Sequence, residues 1–71
     1  MEVIGNLKRR GAIADTLRGL DVGEEITLVN PTIREFRVWS SRASQIKIKE
    51  GINLETSTND EKNSLTIRRN Q

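Results

Sequence analysis

The hydrophobic pattern alternates between two periods along the chain, and each change of period marks an element. In GAIADTLRGL, Ile13, Leu17 and Leu20 recur at helical spacing, and Ala12 and Ala14 favour helix. A short helix is therefore predicted over 12–19, with Gly19 as its stop. DVGEE is a turn centred on Gly23, and EITLV alternates Ile26 and Leu28 among strand formers, which predicts a strand over 25–29. At residue 30 the period becomes helical again. Thr32 and Glu35 have the spacing of a capping box, with Pro31 and Phe36 placed for the accompanying apolar contact. At 100° per residue, Ile33, Phe36, Trp39, Ser40, Ala43 and Ile46 share one face, while Arg34, Arg37, Val38, Ser41, Arg42 and Gln45 share the other. This helix is predicted to run from 32 to about 49 and to stop at Gly51. INLETST and SLTIRRN then read as two strands joined by the NDEKN loop, with Ile52, Leu54, Leu65 and Ile67 inward.

These elements predict a small α+β domain over 11–71, in the order helix, strand, helix, strand, strand. The simplest single core is a three-stranded, mainly antiparallel sheet with its helices on one face. Phe36, Ala43, Leu54, Leu65 and Ile67 are its expected core, joined by Ile13, Leu17, Ile26 and Leu28. Residues 1–10 are expected to be a partly ordered basic arm, although Val3, Ile4 and Leu7 are suited to docking as a strand or helical turn.

Composition narrows the chemistry. With 34% hydrophobic and 3% aromatic residues in 71, the core is thin for a lone domain, so homo-oligomerisation is expected to supply further burial. The chain has no cysteine and no histidine, which rules out disulfides and the usual zinc sites; no metal or cofactor is expected. No Ser-His or Cys-His pair and no glycine-rich phosphate loop is present, and the adjacent Glu24 and Glu25 of a turn or strand edge point apart, so catalysis is not expected. MEVIGNLKRRG contains no apolar run of signal-peptide length, and no stretch nears a membrane span, which points to a cytoplasmic protein.

Charge is nearly balanced at +2 but unevenly distributed. Between 34 and 49, Arg34, Arg37, Arg42, Lys47 and Lys49 face only Glu35; Lys8, Arg9 and Arg10 form a second basic run, and Arg68 with Arg69 a third. The helix arginines are planar forks suited to phosphate or carboxylate, and Ser41 and Gln45 add neutral hydrogen-bonding groups. Lys62, Arg68 and Arg69 of the hairpin are placed to reach phosphates as a wing does, or to protect an edge strand from aggregation. Nucleic acid is the expected partner through these residues, with a small anionic nucleotide held between protomers as a further use of the same forks. Trp39 reads as core, or as the anchor of a dimer contact.

TLRGLDVGEEITLVN, then TIREFRVWSSRAS and the late LTIRR, resembles a loose class of short bacteriophage and prophage proteins over residues 16–69. The shared pattern is Leu-x-x-Leu, Val-Gly-Glu, a strand, a Thr-x-x-Arg helix with a small-residue centre and a closing strand ending in arginine. The resemblance carries no catalytic residues. It implies action in the cytoplasm of a bacterial host, as a nucleic-acid binder in phage regulation or as an inhibitor of a host defence protein. A basic hairpin after a basic helix is also similar to a winged helix, without the further helix that a helix-turn-helix requires.

Overall fold

A computed structural model describes residues 2–5 and 13–71 of the chain. Their order is β1 (Glu2–Gly5), α1 (Ile13–Arg18), β2 (Glu25–Val29), α2 (Ile33–Glu50), β3 (Leu54–Asn59) and β4 (Ser64–Arg69). All neighbouring strands are antiparallel, in the spatial order β1-β2-β4-β3. The sheet has four strands, not the expected three, because the stretch read as a basic arm contributes β1. There Val3 lies opposite Leu28 and Gly5 opposite Ile26. Leu7 and the Lys8–Arg10 run lie outside the described residues.

Gly5 shows why β1 ends where it does. Its φ is 135°, and a Cβ added there would sit 2.6 Å from the Glu25 carbonyl oxygen. Only glycine lets the two backbones come this close.

α2 starts and stops on local signals. Thr32 is its N-cap, accepting a hydrogen bond from the Glu35 amide at 3.1 Å, while the Glu35 carboxylate accepts from the Thr32 amide at 2.9 Å. The Thr32 backbone amide foremost, with its side chain, holds the Glu35 carboxyl below its ordinary range. Gly51 closes the helix in the left-handed conformation, at φ 69°.

Alternation along the strands puts Ile26, Leu28, Leu54, Leu65 and Ile67 on one sheet face, where they are buried against Leu17 and Leu20 and against Trp39, Ala43 and Ile46 of α2. The opposite face carries Ile4, Thr27, Thr66 and Ser57 in one cross-strand row, with the Thr27 and Thr66 hydroxyls 3.1 Å apart. Ile13 and Ile52 are half-buried at the margin of the core.

Two members of the predicted apolar helix face are displaced from the core. Ile33 is 76% exposed and Phe36 37% exposed, whereas Trp39 is 8% exposed. The 18 residues of α2 span about 27 Å, but strands of five or six residues span only about 17–20 Å. The first turn of the helix therefore overhangs the sheet, and its apolar side chains find little to cover them.

Candidate nucleic-acid interface

The chain path fixes which basic residues can act together. β2 leads into α2, α2 runs back over the sheet, and β3 then runs parallel to β2 with β4 between them. The start of α2 and the β3–β4 turn consequently lie at the same end of the sheet. Two asparagines join them. Asn30 and Asn63 both have positive φ, 53° and 46°, which asparagine tolerates better than most residues. The Asn30 amide donates to the Asn63 carbonyl at 2.9 Å, and the Asn63 side-chain amide donates to Asn30 Oδ1 at 3.4 Å. Lys62, exposed in that turn, thus belongs to the Arg34 end of the molecule.

Arg34, Arg37, Ser41, Arg42 and Gln45 are all exposed on α2. Arg37, Val38, Ser41, Arg42 and Gln45 line a shallow depression on this helix, in which the Arg42 guanidinium donates to Gln45 Oε1 at 3.4 Å. Lys49, left out of the predicted set, joins Arg42 and Gln45 at the mouth of a cleft between α1 and α2. Its signal was present in the sequence: Lys49 follows Arg42 by seven residues, two helical turns on the same side. From Arg34 to Lys49 the strip is about 22 Å long at 1.5 Å per residue.

The acidic residues of α2 are committed elsewhere. Glu35 belongs to the cap. Glu50 pairs with Arg18 of α1, whose Nε lies 2.8 Å from both carboxylate oxygens and whose Nη2 lies 2.7 Å from one. That bidentate hydrogen bond holds the Glu50 carboxyl below its ordinary range and raises the guanidinium. Arg18 pairs with Asp15 and Glu50, and among the described residues no carboxylate forms an ion pair with an arginine or lysine of α2.

Two of the three hairpin cations, Arg68 and Arg69, do not join this strip as expected. β4 lies between β2 and β3, so Arg68 and Arg69 protect no edge. Arg68 projects from the sheet face away from the helices, directly between Glu25 and Glu55 of the neighbouring strands. Arg69 serves the fold: Nη1 donates to the Leu20 carbonyl at 2.9 Å, just beyond α1, and Nε donates to the Gln71 carbonyl at 3.0 Å. Arg69→Ala is expected to cost about 1–2 kcal/mol, the low end for a charged hydrogen bond because the site is half-exposed. That corresponds to a melting temperature lower by roughly 5–15 °C for a chain this small. Arg68→Ala should stay within about 0.5 kcal/mol of the parent. Equal melting of the two variants would contradict these roles.

Among the described residues no helix is long and apolar enough to cross a membrane, and no cluster of histidine, cysteine and carboxylate side chains could hold a metal ion. No protein family, curated protein or solved structure matches this chain.

Proposed function

We propose that this chain is a non-enzymatic nucleic-acid-binding protein that grips the phosphate backbone with the outer face of α2. The observation that carries the reading is the strip formed by Arg34, Arg37, Arg42 and Lys49, exposed on one helix whose own carboxylates are occupied by the cap and by Arg18. Lys62 extends it at one end. Guanidinium forks at successive turns follow a row of phosphates without reading bases, so affinity rests on counterion release and depends little on sequence. Among the described residues the depression on α2 has walls from one helix, which favours an extended polyanion over an enclosed nucleotide.

Fluorescence anisotropy with a labelled duplex tests this. The logarithm of the association constant should fall linearly with the logarithm of salt concentration, with a slope of about −3 to −4 for four phosphate contacts. Absence of binding at low salt, or a flat dependence, overturns the reading.

A second reading rests on the apolar residues of the same face. Val38 and Ile48 stand exposed among the cations, Ile48 at 80%, and Ile33 lies beside them at the helix start. Such a surface also suits a protein with an acidic rim and an apolar centre. In keeping with the phage resemblance, that target would be a host defence protein. Recovery of one host protein in a pull-down that survives nuclease treatment would favour it over nucleic acid.

A further inference from the structure

We propose that the outer edge of β3 pairs antiparallel with β3 of a second copy of this chain, about a two-fold axis at Thr56, to form a continuous eight-stranded sheet.

β3 is terminal in the strand order, and among the described residues no strand occupies its outer side. The hydrogen-bond phase of the sheet identifies the backbone groups on that side. The Asn70 amide donates to the Asn53 carbonyl, and residues of an antiparallel pair alternate between bonding toward one neighbour and the other. Glu55, Ser57 and Asn59 therefore bond inward to Arg68, Thr66 and Ser64. Leu54, Thr56 and Thr58 direct their amides and carbonyls outward.

This edge lacks the features that usually block pairing. It contains no proline, lysine, glycine or bulge; its residues are Leu, Glu, Thr, Ser, Thr and Asn. The one charge, Glu55, is engaged by the Asn70 side-chain amide. The other edge is poorer: β1 has four residues and ends at Gly5, whose φ of 135° departs from strand geometry.

Charge and reach select the partner and the register. An edge of mostly hydroxyl side chains, whose single carboxylate is already hydrogen-bonded to Asn70, offers little to a charged peptide but is complementary to itself. Centring the two-fold on Thr56 sets Leu54 opposite Thr58 and Glu55 opposite Ser57 of the other copy. Centring it on Glu55 would bring two carboxylates face to face, which disfavours that register. The helix above also permits the approach. Ser40, Ala43 and Ser44 line the groove between α2 and β3 beside Thr56, so the two α2 helices meet across the axis through small side chains. Lys47, at the Leu54 end of the groove, is carried away from its symmetry mate. Trp39 is excluded as the dimer anchor by its burial in the core.

Sedimentation velocity on the full chain, from micromolar to millimolar concentration, tests the proposal. The parent should sediment at twice the 8.1 kDa of one chain. Thr56→Pro removes an outward amide while leaving every bond to β4 in place, so it should give a folded monomer. Thr58→Lys places a charge on the same edge without altering the backbone and should also give a monomer, which covers the case in which the proline variant fails to fold. Ile4→Lys, on the open face of β1, should leave the dimer intact. A parent that remains monomeric throughout overturns the proposal, as does a dimer that persists in folded Thr56→Pro or Thr58→Lys.

Discussion

Trp39→Ala is expected to remove a large share of this protein's stability, while Phe36→Ala removes little of it. Both residues lie on α2, three positions apart, and a helical projection places both near the apolar face. Their surroundings differ. Trp39 is packed among Leu17, Leu28, Ala43 and the other buried residues of the single core, whereas more than a third of Phe36 remains open to solvent. Truncating a buried tryptophan costs about 3–5 kcal/mol through lost transfer energy and the cavity left behind. A domain of this length has only about 4–10 kcal/mol in total, at 0.05–0.15 kcal/mol per residue. Phe36→Ala removes a ring that is only partly desolvated and meets the overhanging first turn, so about 1 kcal/mol is expected. Urea denaturation followed by far-UV circular dichroism measures both. Equal midpoints for the two variants would mean that the tryptophan does not carry the core.

The contrast between these aromatics marks the limit of what periodicity reveals. Thr32, Glu35 and Gly51 are legible because capping depends on residues within one turn of the helix end. β2 and the hairpin strands are legible because Ile26, Leu28, Leu65 and Ile67 alternate. The phase of α2 about its axis is less so. Its buried residues Trp39, Ala43 and Ile46 are centred roughly 40° from the predicted face at 100° per residue, because α1 packs along one flank and the sheet covers only the later turns. No local signal encodes the difference in length between helix and sheet.

β1 and the hairpin cations show a second limit. EVIG is too short to declare itself as a strand; pairing with β2 makes it one. Arg68 and Arg69 read as a basic pair, yet successive strand residues point to opposite faces. One therefore reaches the open face between two carboxylates, and the other turns toward Leu20 on the helix side. Only the strand order, with β4 in the interior of the sheet, shows that neither guards an edge. The α2 cations are different. Their grouping on one face follows from helical spacing alone, so that part of the candidate site was visible before any fold was known.

Replacing Arg34, Arg37 and Arg42 together by alanine is expected to abolish most nucleic-acid binding without weakening the fold. All three are exposed, none has a described ion-pair partner, and alanine is the stronger helix former, so the melting temperature should hold or rise. The binding loss follows from counterion release. Each phosphate contact contributes a slope of about −0.9, so removing three should flatten the salt dependence by about 2.7. Referred from 1 M salt to physiological ionic strength, the same three contacts are worth on the order of a hundredfold in affinity. Arg68→Ala, with its side chain on the far side of the sheet, should leave both slope and affinity unchanged. If the triple variant keeps the parent slope, the strip on α2 is only a solvated helix back. A slope that flattens equally in Arg68→Ala would instead indicate diffuse attraction by the whole molecule. Loss of the α2 contribution alone, in a protein that melts as the parent does, is the result that assigns the grip to this helix.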